Sequence, residues 1–162
     1  MSRGLLLIGW MGLAACGGAK DKPQAADQRS TTRLKRDAER CFDQGRYDCA
    51  METFRKALKR KPTNPDLLNR FAVAARLRYY VTGEADYRDQ ELVALRKAAK
   101  AAPRHTSIQV NFGTTCWEMG LRREAAQAYQ RALVLEPSHP DAALMRDRIK
   151  RSTKPVEEEE EP

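Results

Sequence analysis

Histidine is nearly missing from this chain: of 162 residues only His105 and His139 are histidine, and they stand 34 positions apart. Two imidazoles so spaced are not the paired ligands of a helical metal site, and neither has enough other ligands near it in sequence to complete one. Both read as exposed turn residues. A phosphate-cradling glycine loop and the Gly-x-Ser-x-Gly elbow of a serine hydrolase are absent as well, so no catalytic residue and no cofactor is expected, and the chain does not read as an enzyme. Aromatic residues make up only 7%. Alanine, leucine and arginine dominate instead, a composition that suits helices better than sheet.

Long apolar runs are lacking too. None approaches the roughly 18–20 residues that a membrane-spanning helix requires. The longest, Leu5 to Ala15, follows Arg3 and has the form of an export signal, so residues 1–15 are set aside from the fold. Leu13-Ala14-Ala15-Cys16 resembles the lipobox of bacterial lipoproteins, in which the cysteine is acylated and becomes the new N-terminus. That resemblance implies lipidation at Cys16, and acyl chains beyond the first make such an anchor firm. Gly17 rather than aspartate follows it, which by the same resemblance implies an outer-membrane lipoprotein facing the periplasm. Residues 16–30 then read as the lipidated cysteine with a flexible polar tether of about 20 Å reach.

Acidic charge is scarce in the body. Setting aside Arg3 and the run Glu157–Glu161 leaves 29 basic against 17 acidic residues, so a basic body carries an acidic end. Arg55, Lys56, Lys59, Arg60 and Lys61 fall on outward helical positions, where solvation is the default role. Nucleic acid is not an expected partner of an exported chain. Anionic lipid or wall polymer would gain about 1 kcal/mol per well-placed cation.

What the sequence has in plenty is self-similarity. Ala38, Cys41, Gly45, Ala50, Phe54, Ala57 and Leu58 return 75 residues later as Gly113, Cys116, Gly120, Ala125, Tyr129, Ala132 and Leu133, and Pro62 returns as Pro137. A middle copy emerges once it is split: Phe71, Ala72 and Ala75 lie 34 residues after Asp37, Ala38 and Cys41, and Leu95, Ala98, Ala99 and Pro103 lie 34 before Tyr129, Ala132, Leu133 and Pro137. Seven extra residues, Val81 to Tyr87, separate its halves, and their Thr, Gly and Asp suggest a lengthened loop. Within each copy apolar residues recur at helical spacing on one side of two segments. The small residues let the two helices approach, and the proline stops the second one. The copies cover 31–64, 65–105 and 106–139. Pro140–Arg151 adds a helix with Ala143, Leu144 and Ile149 on its apolar side, suited to capping the array. Residues 152–162 read as a disordered acidic tail.

A 34-residue helix–turn–helix unit with these small, aromatic and proline places resembles the tetratricopeptide repeat. The resemblance covers about 31–151 and implies an all-α fold of three stacked hairpins in a right-handed superhelix with a C-terminal capping helix. Two departures stand out: Glu91 occupies the place of Ala50 and Ala125, and Leu34, Leu68 and Gln109 occupy the place of the usual leading tryptophan. In the family the leading helices line a groove for extended peptides or helices. Carried over position by position, that groove comprises Lys35, Glu39 and Phe42, then Asn69, Val73 and Arg76, then Val110, Thr114 and Trp117. Exposed aromatics and arginine suit binding hot spots. The rival reading packs Phe42 under the N-terminal segment and Trp117 under the cap. The carboxylate-clamp variant needs lysines and asparagines that this chain lacks, with Glu39 and Ser107 against it.

Cysteine-rich relatives of this repeat class carry disulfides between paired helices at similar spacing, which implies a Cys41–Cys49 bridge in an oxidising periplasm. Read as residues alone, the two fit equally well as small core side chains, and Cys116 reads as a buried, inert thiol. The combined expectation is a membrane-anchored adaptor that binds a segment of an envelope protein. Its resemblance extends to the small lipoproteins that assist outer-membrane machines, including type IV pilus secretin pilotins. The alternatives are an accessory that binds through its basic convex face and, from the resemblance to cysteine-rich repeat proteins linked to penicillin, a cell-wall-acting enzyme.

Overall fold

Three glycines set the hairpins. Gly45, Gly83 and Gly120 have φ of 69°, 73° and 76°, a left-handed conformation that costs a residue with a Cβ but not glycine. The structure, a computed structural model, describes the backbone of residues 22–153 and the side chains of 28–152. The export signal 1–15, Cys16 and the acidic run Glu157–Glu161 lie outside the described residues.

The described chain is helical throughout, in the order α1 Lys22–Asp43, α2 Tyr47–Arg60, α3 Pro65–Thr82, α4 Ala85–Ala101, α5 Thr106–Glu118, α6 Arg122–Leu135 and α7 Ala142–Thr153. Local chemistry explains the ends. The Asn64 side chain accepts a hydrogen bond from the Leu67 amide at 2.9 Å while Pro65 opens α3, where its missing N–H is no loss. Pro62, Pro103 and Pro137 each follow directly on the residue that caps α2, α4 and α6.

Helices pair in sequence, α1 with α2, α3 with α4, α5 with α6, and α7 packs on α6. Side-chain ties arrange them in two layers. Glu39–Arg70 at 3.6 Å and Asn111–Asn69 at 2.9 Å link α1, α3 and α5. Arg55–Gln90 at 2.5 Å and Arg96–Glu124 at 2.9 Å link α2, α4 and α6. The core between the layers is built from the repeated small and apolar places, among them Ala38, Ala50, Phe54, Ala72, Leu95, Ala125, Tyr129 and Ala132, all buried. Gly113 allows the closest approach: a Cβ there would lie 2.8 Å from the Tyr129 ring. Gln109 is also fully buried, and its amide donates to the Ala99 and Pro103 carbonyls at 3.4 and 3.3 Å. In the leading place it thus ties α5 to the preceding turn.

Three expectations are corrected. The flexible tether does not extend to Ser30, because α1 begins at Lys22. Pro23 falls in the first turn, and no glycine or proline interrupts the chain again before Gly45. Lys61 bonds Gln28, and Arg60 bonds Ser30, so α2 holds this extension. Nor do the seven extra residues of the middle copy make a loop. The connection is Gly83-Glu84 alone, and the added length is helical: α3 has 18 residues against 13 in α5, and α4 has 17 against 14 in α6. The longer helices are held by Arg78 stacked on Tyr87 at 5.6 Å and Arg88 on Tyr79 at 5.0 Å. In the capping helix, Ala143 and Leu144 face outward, while Ala142 and Met145 are buried with Ile149 against the core.

Candidate partner-binding surface

The nine residues carried over from the family all lie on α1, α3 and α5, in one layer, and all are partly buried. The structure gives them different employment. Lys35, Phe42, Val73 and Val110 present side chains along this layer, the last two without polar groups. Phe42 meets Tyr47 edge-on, ring centres 5.7 Å apart, across the first turn. Glu39 is paired with Arg70, and Asn69 accepts from Asn111. Arg70 and Asn111 therefore belong to the same surface although the carried-over positions omit them. Each stands one residue after a carried-over place, Asn69 and Val110, which is the only signal the sequence offers.

Arg76 is not available to a partner. Its Nε donates to Glu91 Oε1 at 2.6 Å, and its Nη2 donates to Thr115 Oγ1 at 2.9 Å and the Asn111 carbonyl at 3.3 Å. Glu91, the anomalous residue of the middle copy, is fully buried. It also accepts from Thr115 Oγ1 at 2.6 Å and from Arg88 Nη1 at 2.9 Å. Arg88 continues to Glu118 at 2.7 Å. A buried carboxylate between two guanidiniums, with each oxygen taken by a donor, meets the condition under which an internal ion pair is tolerated. Burial works against the Arg88 charge, but the hydrogen bond to Glu118 and the charge of Glu91 outweigh it and leave its pKa raised.

Thr114 and Trp117 are likewise engaged. The Tyr129 hydroxyl donates to Thr114 Oγ1 at 3.2 Å and accepts from Arg148 at 2.5 Å. Trp117 lies under arginines: Arg122 from α6 at 3.8 Å from the ring centre, and Arg148 and Arg151 from the capping helix α7 at 5.4 and 5.5 Å. Arg122 is fixed by its hydrogen bond to the Trp117 carbonyl at 2.7 Å.

The cysteines divide. Cys41 and Cys49 face each other across the first turn as a disulfide with Cα atoms 5.8 Å apart, a separation that such a bridge spans without backbone movement. Cys116 is fully buried, and burial first, then the charge of Glu124, pushes its thiol up to about 12, so a thiolate nucleophile is not on offer. Among the described residues no group of three or more His, Cys, Asp or Glu side chains is disposed to hold a metal ion. His105 is exposed, while His139 is less so and its Nδ1 accepts from the Asp141 amide at 3.1 Å.

The opposite layer carries a cleft of about 520 Å³ bordered by α2, α3 and α4 and lined by the apolar Leu58, Phe71 and Val93 together with the cationic Arg55, Lys59 and Lys97.

Comparison with known proteins agrees with this architecture. The tetratricopeptide-repeat family model matches residues 41–64 and 106–139, within the first and third hairpins. Human RNA polymerase II-associated protein 3 is 29% identical over 117 residues, which are 72% of this chain but only 16% of that protein. Among solved structures, the first tetratricopeptide domain of Spaghetti (RPAP3), bound to an HSP90 peptide, superposes with a TM-score of 0.63 at 23% identity, covering 76% of this chain and 95% of that one. The second such domain of human RPAP3, in complex with an HSP70 peptide, gives 0.64 at 18% identity, covering 80% and 99%. The Arabidopsis OM64 domain gives 0.64 at 19%, covering 77% and 98%. Paired helices, matched small residues and glycine turns, seen together with these likenesses, make the described chain an all-α array of three tetratricopeptide-like helix–turn–helix hairpins closed by a capping helix.

Proposed function

We propose that this protein is a membrane-anchored adaptor of the cell envelope whose α1–α3–α5 layer holds an extended segment or helix of an envelope protein. The observation that carries the binding reading is the division of that layer. Its polar positions are tied to one another, as in Glu39–Arg70 and Asn69–Asn111, while Lys35, Phe42, Val73 and Val110 are left partly exposed along it. Partly exposed apolar positions beside a fixed polar framework are a preorganised surface. Two of the similar solved structures hold peptides, one from HSP90 and one from HSP70. The binding of a peptide is the part of that likeness taken over here; the peptide's identity is not, since Glu39 and Ser107 differ from what a carboxylate clamp requires.

The anchor rests on the Leu-Ala-Ala-Cys motif at 13–16, with Cys16 lipidated and the outer membrane, periplasmic side, as its site. Assembly of an outer-membrane machine, in the manner of a secretin pilotin, is the use such an anchored groove suits. Crosslinking in whole cells followed by mass spectrometry tests the groove. Partners recovered with the parent chain are lost with Phe42→Ala/Val73→Thr/Val110→Thr, provided the variant keeps its helicity and unfolding midpoint. Recovery of the same proteins in the same yield ends this reading. Incorporation of a labelled lipid precursor, present in the parent and gone in Cys16→Ala, tests the anchor separately.

A second reading has its own observation: the convex cleft and the cations that line it. A role as a structural accessory bound through that face predicts salt-sensitive partner capture that survives the groove substitutions.

A further inference from the structure

The layer of even-numbered helices is open where α2 and α4 run side by side. Arg55 and Gln90, 35 residues apart in sequence, are bonded at 2.5 Å, and Pro62 and Lys97, also 35 apart, line one hollow together. The two helices therefore point the same way, and the cleft of about 520 Å³ follows their common direction. Arg55 marks one end of it. The guanidinium lies 5.2 Å from the Phe71 ring centre and donates to Gln90, so it straps α2 to α4. At the other end a second hollow of about 520 Å³ shares Pro62 and Lys97 with the first and continues to Lys100. From Gln90 to Lys100 is about 15 Å along α4, at 1.5 Å per helical residue.

Apolar surface and charge are separated along that length. Behind the strap lie Leu58, Phe71 and Val93, and Val93 is 48% exposed although apolar. Lys59 and Lys97 come from opposite helices towards the far end, with Lys100 one turn beyond. None of these three lysines has a hydrogen-bond or ion-pair partner among the described residues, and none of the described Asp or Glu side chains lines either hollow.

The occupant follows from what each kind of molecule would bring in. An extended peptide carries amides that need partners, and helical walls have their own backbone groups already paired. A docked helix, about 10–12 Å across, would have to lift the Arg55 strap. A flat bilayer does not enter between two helices. A single alkyl chain takes no polar group into the apolar stretch, and an anionic head at its end meets the lysines. The volume lies within the roughly 300–1,000 Å³ of small-molecule sites.

We infer that the α2–α4 cleft binds a single-chain anionic amphiphile, its alkyl chain along Leu58, Phe71 and Val93 and its head among Lys59, Lys97 and Lys100. Arg55 sets how far the chain enters. This goes beyond both readings of partner binding: it needs no protein partner and no residue of the α1–α3–α5 layer, so its failure leaves them standing.

Calorimetric titration of the full chain with sodium dodecanoate, below its micelle concentration, tests the site. One site per chain is expected, with decanoate about fifteenfold weaker for the two methylenes it lacks. Dodecyltrimethylammonium, the same chain with the opposite charge, should bind about tenfold more weakly than dodecanoate, and high salt should narrow that gap. Lys59→Gln/Lys97→Gln should remove the preference for the anion, and Val93→Asp should remove dodecanoate binding altogether. All three positions are exposed, and the unfolding midpoint is the control for folding. No binding of dodecanoate, equal binding of decanoate or of the cationic chain, an anion preference that survives the lysine variant, or binding that survives Val93→Asp overturns the inference. Capture by anionic vesicles or by an acidic amphipathic peptide, with dodecanoate left unbound, overturns it as well.

Discussion

At the turn of the first hairpin Phe42 meets Tyr47, and at the turn of the third Trp117 meets Arg122. The places that match these pairs in the middle hairpin hold Arg76 and Arg88. Two guanidiniums facing each other would repel, and the chain answers with Glu91 in the place where the other two hairpins have alanine. The departures from the repeat are therefore one substitution made three times over: two aromatic or stacking places became cationic, and the small place between them became the anion they share. The same backbone slot is filled by ring packing, by cation–π stacking, or by a buried ion network. Taken singly, Arg76 looks like a binding residue and Glu91 like a damaged repeat; side by side with their counterparts they explain each other.

The sharpest break of that comparison is Glu91→Ala. It makes the middle slot like its neighbours in size but leaves two largely buried arginines facing each other without their carboxylate. A loss of about 3–5 kcal/mol in urea unfolding is expected. Installing the first hairpin's solution in full, Arg76→Phe/Arg88→Tyr/Glu91→Ala, should recover most of it, and failure to recover would mean that the slots are not interchangeable. Next in size is the Cys41–Cys49 connection, which belongs to the first hairpin alone. Reduction, or Cys49→Ser, is expected to cost about 2.5 kcal/mol by loop-closure entropy. An unchanged midpoint and a mass showing free thiols would remove the bridge from the account. In the third hairpin Gly113→Ala forces the Tyr129 ring to move, and a cost of about 1–3 kcal/mol follows from overpacking. The matched Ala38→Gly in the first hairpin should cost less, about 1 kcal/mol, from backbone entropy alone.

The smallest effect concerns the remaining thiol. Burial raises the Cys116 pKa to about 12, so folding favours the protonated form. That stabilisation is complete below the thiol pKa of the unfolded chain, near 8.5, and declines as pH rises from there towards 12. Cys116→Ala should flatten the alkaline limb of the stability profile, and in the native protein the thiol should resist alkylation at pH 8.5.

Much of this was written in the repeat spacing. Helix pairing, the three glycine turns and the prolines after α2, α4 and α6 each follow from a local rule, and local rules are legible. The extra residues of the middle copy were misread as a loop because Thr82 and Gly83 carry turn chemistry. The stacking of Arg78 on Tyr87 and Arg88 on Tyr79, which makes helix the better use of that length, joins two separate helices. The candidate site was legible as a set of positions and illegible as a set of roles. That Lys35, Val73 and Val110 lie in one layer follows from the register. That Arg76 is consumed by Glu91 and Thr115, or Trp117 roofed by α7, depends on contacts 15 to 39 residues away in sequence.

The Glu91 network also has a bearing on how the molecule opens. It gathers donors from α3, α4 and α5, so it adds a buried polar network to the packing across the second repeat boundary, whereas an ion pair across the first, Arg70–Glu39, is more exposed. Stacked repeats exchange their amide hydrogens in units set by the strength of each junction. Here the second and third hairpins should open together as one slow-exchanging unit, while the first hairpin, whose two helices the Cys41–Cys49 bridge ties together, exchanges sooner.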